Sequence, residues 1–255
     1  MSEPVIYARD GATAVITLNR PEVSNAVDLA TSQAFDRAIS AATSDSGVRT
    51  VLVRGAGARF CAGGDVAAMA AQERPSEYVG LLAEHFGRVL LRLSRIEQPV
   101  VCAVQGAVAG AGLALALSAD LVVAARGTKF LMAYGGVGLT PDCGVSHLLP
   151  RAIGQQRALE LALTNRVITA STALDWGLVG QVVDEEALPR AASELVAALG
   201  AGSAFAHGQA KRLIRSSWEA PREQGIDDEA ATIVLAADTA HARTKIGGFI
   251  RRDTA

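Results

Sequence analysis

The sequence predicts an α/β fold, and three observations carry that expectation. Short runs rich in β-branched residues alternate with amphipathic stretches of helical period, the signature of βαβ units. Glycine-bearing loops follow two of the runs directly. From Val145 onward the pattern turns helical, with "GQVVD" as its one short strand candidate.

The elements follow in order. "VIYARDGATAVITLN" reads as a hairpin, two apolar runs around the turn signal Asp10-Gly11. Asp28 is placed to cap a helix through "LATSQAFDRAISAATSD". "RTVLVRGAG" (Arg49 to Gly57) is a buried strand ending in glycines. "AAMAAQERPSEYVG" is expected to be irregular around Pro75, with an amphipathic helix in "LLAEHFGRVLLRLSRIE". "QPVVCAVQG" is the next buried strand, and "DLVVAARGTKFLMA" supplies at least one more.

Bulk properties narrow the function. Half of the 255 residues are hydrophobic and 20% are charged, as expected of a globular chain with a sizeable core. With 24 Lys and Arg against 26 Asp and Glu, the net charge is −2, and aromatics are only 4%. Neither figure supports nucleic-acid binding, which needs clustered basic side chains or stacking platforms. Cys61, Cys102 and Cys143 stand apart with no CxxC pair, which suggests reduced thiols, no metal site and a cytoplasmic location. "MSEPVIYARD" lacks an apolar core of the signal-peptide kind. Gln98 to Ala119 carries no charge and is long enough to span a bilayer. Its β-branched start, glycine-rich middle and Ala/Leu end fit strand, loop and helix better, so no membrane span is expected.

The two glycine loops are "GARFCAGGD" and "GAVAGAG". Neither has the GxGxxG or GxxxxGK[ST] spacing that cradles phosphates. Two N–H groups converging on one oxygen make a different device, an oxyanion hole for a carbonyl that becomes an enolate.

The segments "TLNRPEVSNAVD", "GARFCAGGDV", "PVVCAVQGAVAGAGLALALSADLVVAA", "GLTPDCGVSHLLPRAIG" and "TNRVITASTALDWGLVGQVV" together resemble the crotonase family of enoyl-CoA hydratases and isomerases. They appear in family order over roughly residues 15–185. The resemblance implies a spiral of ββα turns (residues 1–195) and a helical C-terminal region (196–255) used in trimerisation. A homotrimer, or a hexamer made of two trimers, is the expected assembly. The implied ligand is an acyl-CoA thioester, with coenzyme A as part of the substrate and no separate cofactor. By position, the thioester oxygen falls to the N–H groups of Gly64 and Ala111.

The departures set the chemistry. Where the family's hydratases carry two glutamates, this sequence has Ala114 and Tyr134. Adding water across a double bond needs a base for the water and an acid for the α-carbon, so hydration should be crippled. Asp142 in "GLTPDCGVSHLLPR" remains, and that segment is most similar to the isomerase-like branch acting on phenylacetate-pathway and dehydroadipyl-type CoA esters. In that branch an aspartate at the matching position shuttles the proton. Asp142 also suits a cap for a helix beginning near Gly144, and the two roles are compatible.

Other positions follow from the resemblance. Ala62, Asp65, Met69 and Tyr134 are expected around the acyl thioester, with Asp65 also placed to cap "VAAMAA". Tyr134 reads as a wall or hydrogen-bond donor, His147 as core or support, and Cys61 as a small buried filler. Met69 to Tyr78 is expected to form a mobile wall. The coenzyme's adenine is assigned to backbone near Val23 and Ser24, and its nucleotide to Lys211, with Phe249 and Arg252 lent by a neighbouring subunit. The expected activity is double-bond isomerisation. The alternatives are a weak or atypical hydratase and a non-catalytic acyl-CoA-binding protein.

Overall fold

The computed structural model describes the backbone of residues 3–252 and side chains through residue 250. Its strands are β1 (Val5–Asp10), β2 (Thr13–Leu18), β3 (Thr50–Gly55), β4 (Val100–Val104), β5 (Ala107–Ala109), β6 (Leu121–Ala125), β7 (Lys129–Leu131), β8 (Ile168–Thr169) and β9 (Gln181–Val183). A six-stranded sheet runs in the order β1-β2-β3-β4-β6-β9, and a three-stranded sheet runs β5-β7-β8. Only β1 and β2 are antiparallel in the large sheet, joined through Gly11 in a left-handed conformation, as the Asp10-Gly11 signal required.

The helices are α1 (Leu29–Ser44), α2 (Val66–Ala70), α3 (Pro75–Arg95), α4 (Ala111–Ser118), α5 (Val145–Ile153), α6 (Gln155–Thr164), α7 (Ala170–Asp175), α8 (Leu188–Gly200), α9 (Ala204–Ser216), α10 (Arg222–Ala237) and α11 (Ala240–Arg252). Successive turns of chain give one strand to each sheet and then a helix: β4, β5, α4, and next β6, β7, α5. The turn carrying β3 has only a single bridge in place of the small-sheet strand, Cys61 pairing with Val108. This is the spiral of the crotonase fold.

Two local expectations need correction, and a third observation concerns the boundary at residue 195. The helix expected from Leu81 begins at Pro75, because proline is well placed in a first turn where its missing N–H costs nothing. The loop after β4 contains β5, a strand too short to show a period. The helix α8 runs through residues 195 and 196, so no break in the chain falls there.

The strands read as continuous apolar runs because both faces are covered. Val51, Val53, Val100, Cys102 and Val104 face the main core, while Leu52, Val101 and Ala103 point to the opposite face. There Leu188, Ala192 and Val196 of α8 close a second, smaller core. Each large side chain so buried contributes about 1.5–3 kcal/mol.

The uncharged stretch resolves into β4, β5 and a buried helix. From Ala111 to Ala116 every residue of α4 is buried, which explains an apolar composition with no preferred face. Among the described residues no helix is long and apolar enough to cross a membrane. Gly112 lets α4 lie directly on the first glycine loop, since a Cβ there would stand 2.4 Å from the Cys61 carbonyl oxygen. Gly112→Ala is therefore expected to lower stability by about 2 kcal/mol. Urea titration checks this as a fall in midpoint at constant slope.

Candidate active site

The site grows from the contact between the two glycine loops. Cys61 N–H donates to Ala107 O (3.1 Å), and Ala109 N–H donates to Cys61 O (3.0 Å). One residue further, Val27 brackets the first loop: its N–H donates to Gly63 O (2.8 Å) and its carbonyl accepts from Asp65 N–H (2.9 Å). In a parallel bridge of this kind the central residue, Gly64, turns its own N–H away from Val27. Gly64 lines the neighbouring cleft, and among the described residues no backbone acceptor takes its N–H.

The second loop supplies a matching group. Gly110 caps α4 at φ 50° and ψ −120°, a conformation open to glycine. Ala111 is the first residue of the helix, where an N–H has no intrahelical partner. A Cβ on Gly63 would stand 3.1 Å from Ala109 O and 3.7 Å from Ala111 N, so the loops touch. Gly63, Gly64, Gly110 and Ala111 all border one cleft of about 260 Å³.

Asp142 is the one carboxylate among the described residues lining that cleft. It precedes two residues in left-handed conformation, Cys143 (φ 53°) and Gly144 (φ 80°), which turn the chain into α5. Its carboxylate is not a cap, since α5 has no side-chain cap bond and Asp142 offers only its backbone carbonyl, to Val145 N–H. Tyr134 O–H instead donates to Asp142 Oδ1 at 2.6 Å, in the range of a charge-assisted bond. Burial, then the charge of Asp142, raises the Tyr134 phenol well above the ordinary tyrosine range. The Cys143 thiol is raised for the same two reasons in the same order. Both neighbours therefore stay protonated.

The remaining walls are apolar. Val79, Leu82, Ala83 and Phe86 of α3 line the cleft at helical spacing, joined by Met69, Val137 and Leu139. Sequence reasoning did not single out this stripe on α3, although its i, i+3, i+4, i+7 period was the available signal. The stretch Met69 to Tyr78, expected as a mobile wall, is the end of α2, a tight turn and the start of α3.

Several expected residues lie elsewhere. Asp65 is buried and does not line the cleft; Oδ1 caps α2 through Ala68 N–H (3.0 Å) and Oδ2 pairs with Arg20 (3.0 Å). Lys211, expected at the coenzyme's nucleotide, does not line the cleft. Its ammonium is buried against Asp120 (2.7 Å) and the Gln98 carbonyl (3.0 Å), and burial lowers its pKa. Asp120 also accepts from Arg215 and from Val100 N–H, so this network ties α9 to the start of β4. Phe249 is exposed on α11, and the side chain of Arg252 lies outside the described residues. Val23 and Ser24 form an exposed turn outside the cleft, tied to it where Ala62 N–H donates to Ser24 O (3.0 Å). Ala62 itself lines the cleft. Cys61 is fully buried, with its thiol pushed up to about 12 by burial.

The profile of the Enoyl-CoA hydratase/isomerase family matches residues 8–254. The chain belongs to that family. It is 35% identical to the 1,2-epoxyphenylacetyl-CoA isomerase of Escherichia coli K12, over 99% of this chain and 97% of the relative. It is also 35% identical to a trans-2-decenoyl-[acyl-carrier-protein] isomerase of Streptococcus mutans, over 84% and 82%. A solved enoyl-CoA hydratase from Polaromonas sp. JS666 superposes with a TM-score of 0.93 at 31% identity, covering 97% of each chain. Within this family the two hydratase-type carboxylates are missing here: Ala114 is fully buried inside α4, and Tyr134 presents a phenol.

The buried pairing of Lys211 has a measurable consequence. Lys211→Ala is expected to lower stability by about 3 kcal/mol, because it leaves Asp120 less well compensated. It should change the KM for an acyl-CoA by less than about twofold, whereas a nucleotide-binding lysine would raise KM severalfold.

Proposed function

We propose that this enzyme is an acyl-CoA isomerase that shifts a C=C bond through an enolate, with Asp142 carrying the proton. The observation that supports this above others is the cleft's single carboxylate, set beside two unpaired N–H groups. Hydration needs two separate proton-handling groups, and one carboxylate with two firmly protonated neighbours does not provide them. Isomerisation needs one. Asp142 takes the proton from C2 of a 3-enoyl thioester, and the C–H electrons spread into a dienolate. The same carboxyl then returns the proton to C4, leaving the double bond between C2 and C3. No oxidant, reductant or water is consumed.

The N–H groups of Gly64 and Ala111 act where the charge develops. They donate to the thioester oxygen, each contributing about 2.7–4 kcal/mol of transition-state stabilisation. Small residues at 64 and 111 leave the oxygen room to approach. The apolar walls Leu82, Phe86 and Met69 receive an uncharged acyl group and keep the dienolate away from water. The coenzyme leaves past Ala62 toward the turn at Val23 and Ser24, whose backbone takes the adenine.

The assembly is a homotrimer or a dimer of trimers. Supporting this, α10 and α11 carry exposed Ile226, Ile233, Leu235, Ile246 and Phe249, with Ile233 69% exposed. That is more apolar surface than a free helical pair ordinarily leaves in water. Light scattering coupled to gel filtration should give three or six times the mass of the 26.3 kDa chain; a monomer would remove this part of the proposal.

The chemical test uses a 3-enoyl-CoA in deuterated water, following conjugation at the thioester absorbance and label at C2 and C4. Asp142→Asn is expected to reduce isomerisation by at least about 10²-fold, with crotonyl-CoA hydration negligible in both proteins. Hydration that survives the substitution would favour an atypical hydratase. Binding without turnover or exchange would mark a non-catalytic acyl-CoA-binding protein.

A further inference from the structure

Tyr134 stands where a hydratase of this family presents a carboxylate, yet its hydroxyl is turned onto Asp142. We infer that Tyr134 is a positioning residue, whose O–H holds one oxygen of Asp142 so that the other carries the proton between two carbons of the substrate. The inference rests on Asp142 being the proton carrier.

Three features on the page carry it. The first is geometric. A Cβ built on Gly110 would stand 3.9 Å from Tyr134 Cζ, so the phenol lies against the glycine that caps α4. Its other end is the 2.6 Å bond to Asp142 Oδ1. The ring therefore spans from the residue preceding the Ala111 N–H to the carboxylate, and it fixes the distance between oxyanion donor and base. The second is that Tyr134 supplies the one hydroxyl among the described residues that donates to this carboxylate, whose other side-chain partner is the weaker thiol donor of Cys143. Without Tyr134 only that thiol is left to hold the carboxylate, whose Cβ–Cγ torsion is of the broad terminal kind. The third is that the ring is held from behind. Tyr134 opens a short 3₁₀ turn through Val137, entered from Ala133 in a left-handed conformation, and Leu139 N–H donates to Tyr134 O (3.0 Å).

The consequence for the reaction is specific. A proton lifted from C2 and delivered to C4 by the same carboxyl oxygen has little time to exchange with solvent. A rotating carboxylate presents its proton to water as well as to the dienolate. Burial and the adjacent charge keep the phenol protonated, so it remains a donor while Asp142 cycles between its two forms.

Tyr134→Phe keeps the ring and removes the bond. In the 3-enoyl-CoA assay we expect kcat to fall about 10- to 50-fold with KM within twofold. With substrate deuterated at C2 and assayed in ordinary water, the fraction of that label recovered at C4 should drop by at least half as solvent exchange takes over. In an Asp142→Asn background the same change should cost nothing further, since Tyr134 acts through the carboxylate. Unchanged kcat and label transfer in Tyr134→Phe would overturn the inference while leaving Asp142 in place. A further tenfold loss on top of Asp142→Asn would overturn it too, by showing that the phenol acts on substrate directly. Full activity in Asp142→Asn would instead overturn the proposed function. Tyr134→Leu serves as a volume control: it should lose hydrogen bond and ring together and match Tyr134→Phe in label transfer, whereas label transfer preserved in Tyr134→Leu would refute the inference.

Discussion

The structure depends on a seam of backbone hydrogen bonds between two glycine loops. Cys61 and Val108 form the single bridge where the first turn of the spiral meets the small sheet. The two bonds between Cys61, Ala107 and Ala109 set the height of one loop against the other. Val27 then locks the far side of Gly64. Every residue of the seam is small or buried because the backbones approach so closely that side chains have no room. Gly106, where a Cβ would stand 2.2 Å from the Ala58 carbonyl oxygen, and Gly112 against Cys61 are the tightest expressions of this. The two unpaired N–H groups are a by-product of that pairing, since a parallel bridge turns the middle residue outward and a helix start leaves its first donors unused.

Around the seam, charge is placed with economy. The helix that follows the second loop is apolar and buried, so nothing on it competes for a proton. Acidic residues near the cleft are neutralised by structural duties, Asp65 by Arg20 and the α2 cap, Asp28 by the α1 cap and Arg20. Asp142 alone keeps a carboxylate at the cleft wall, and its neighbours Tyr134 and Cys143 are held protonated by burial and by its charge. The result is one carboxylate, among the described residues, in a largely apolar cleft, the arrangement on which the proposed isomerisation rests.

Much of this was legible in the sequence, for identifiable reasons. The hairpin, the caps at Asp28 and Asp65, and strands β3 and β4 carry strong local signals that the tertiary structure had no cause to override. The strands β5 and β8 were not legible, because two or three residues cannot display a period and their pairing is wholly long-range. The wall contributed by α3 was present as an apolar stripe but had no address until α3 was laid across the cleft. At Lys211, assigned to the coenzyme's nucleotide by its position alone, only the fold shows Asp120 beside the ammonium.

The sequence by itself determined the α/β class, the two glycine loops and the absence of acids at positions 114 and 134. Those are consequences of residue type, period and local backbone freedom, which act over a few residues. The tertiary structure alone decided which acid faces the cleft, what it bonds to and which charges are consumed elsewhere. Asp65, Asp120 and Asp142 are the same residue type in one sequence, and nothing local separates their roles. They differ because long-range packing gives the first an arginine and a helix start, the second a lysine and an arginine, and the third a phenol.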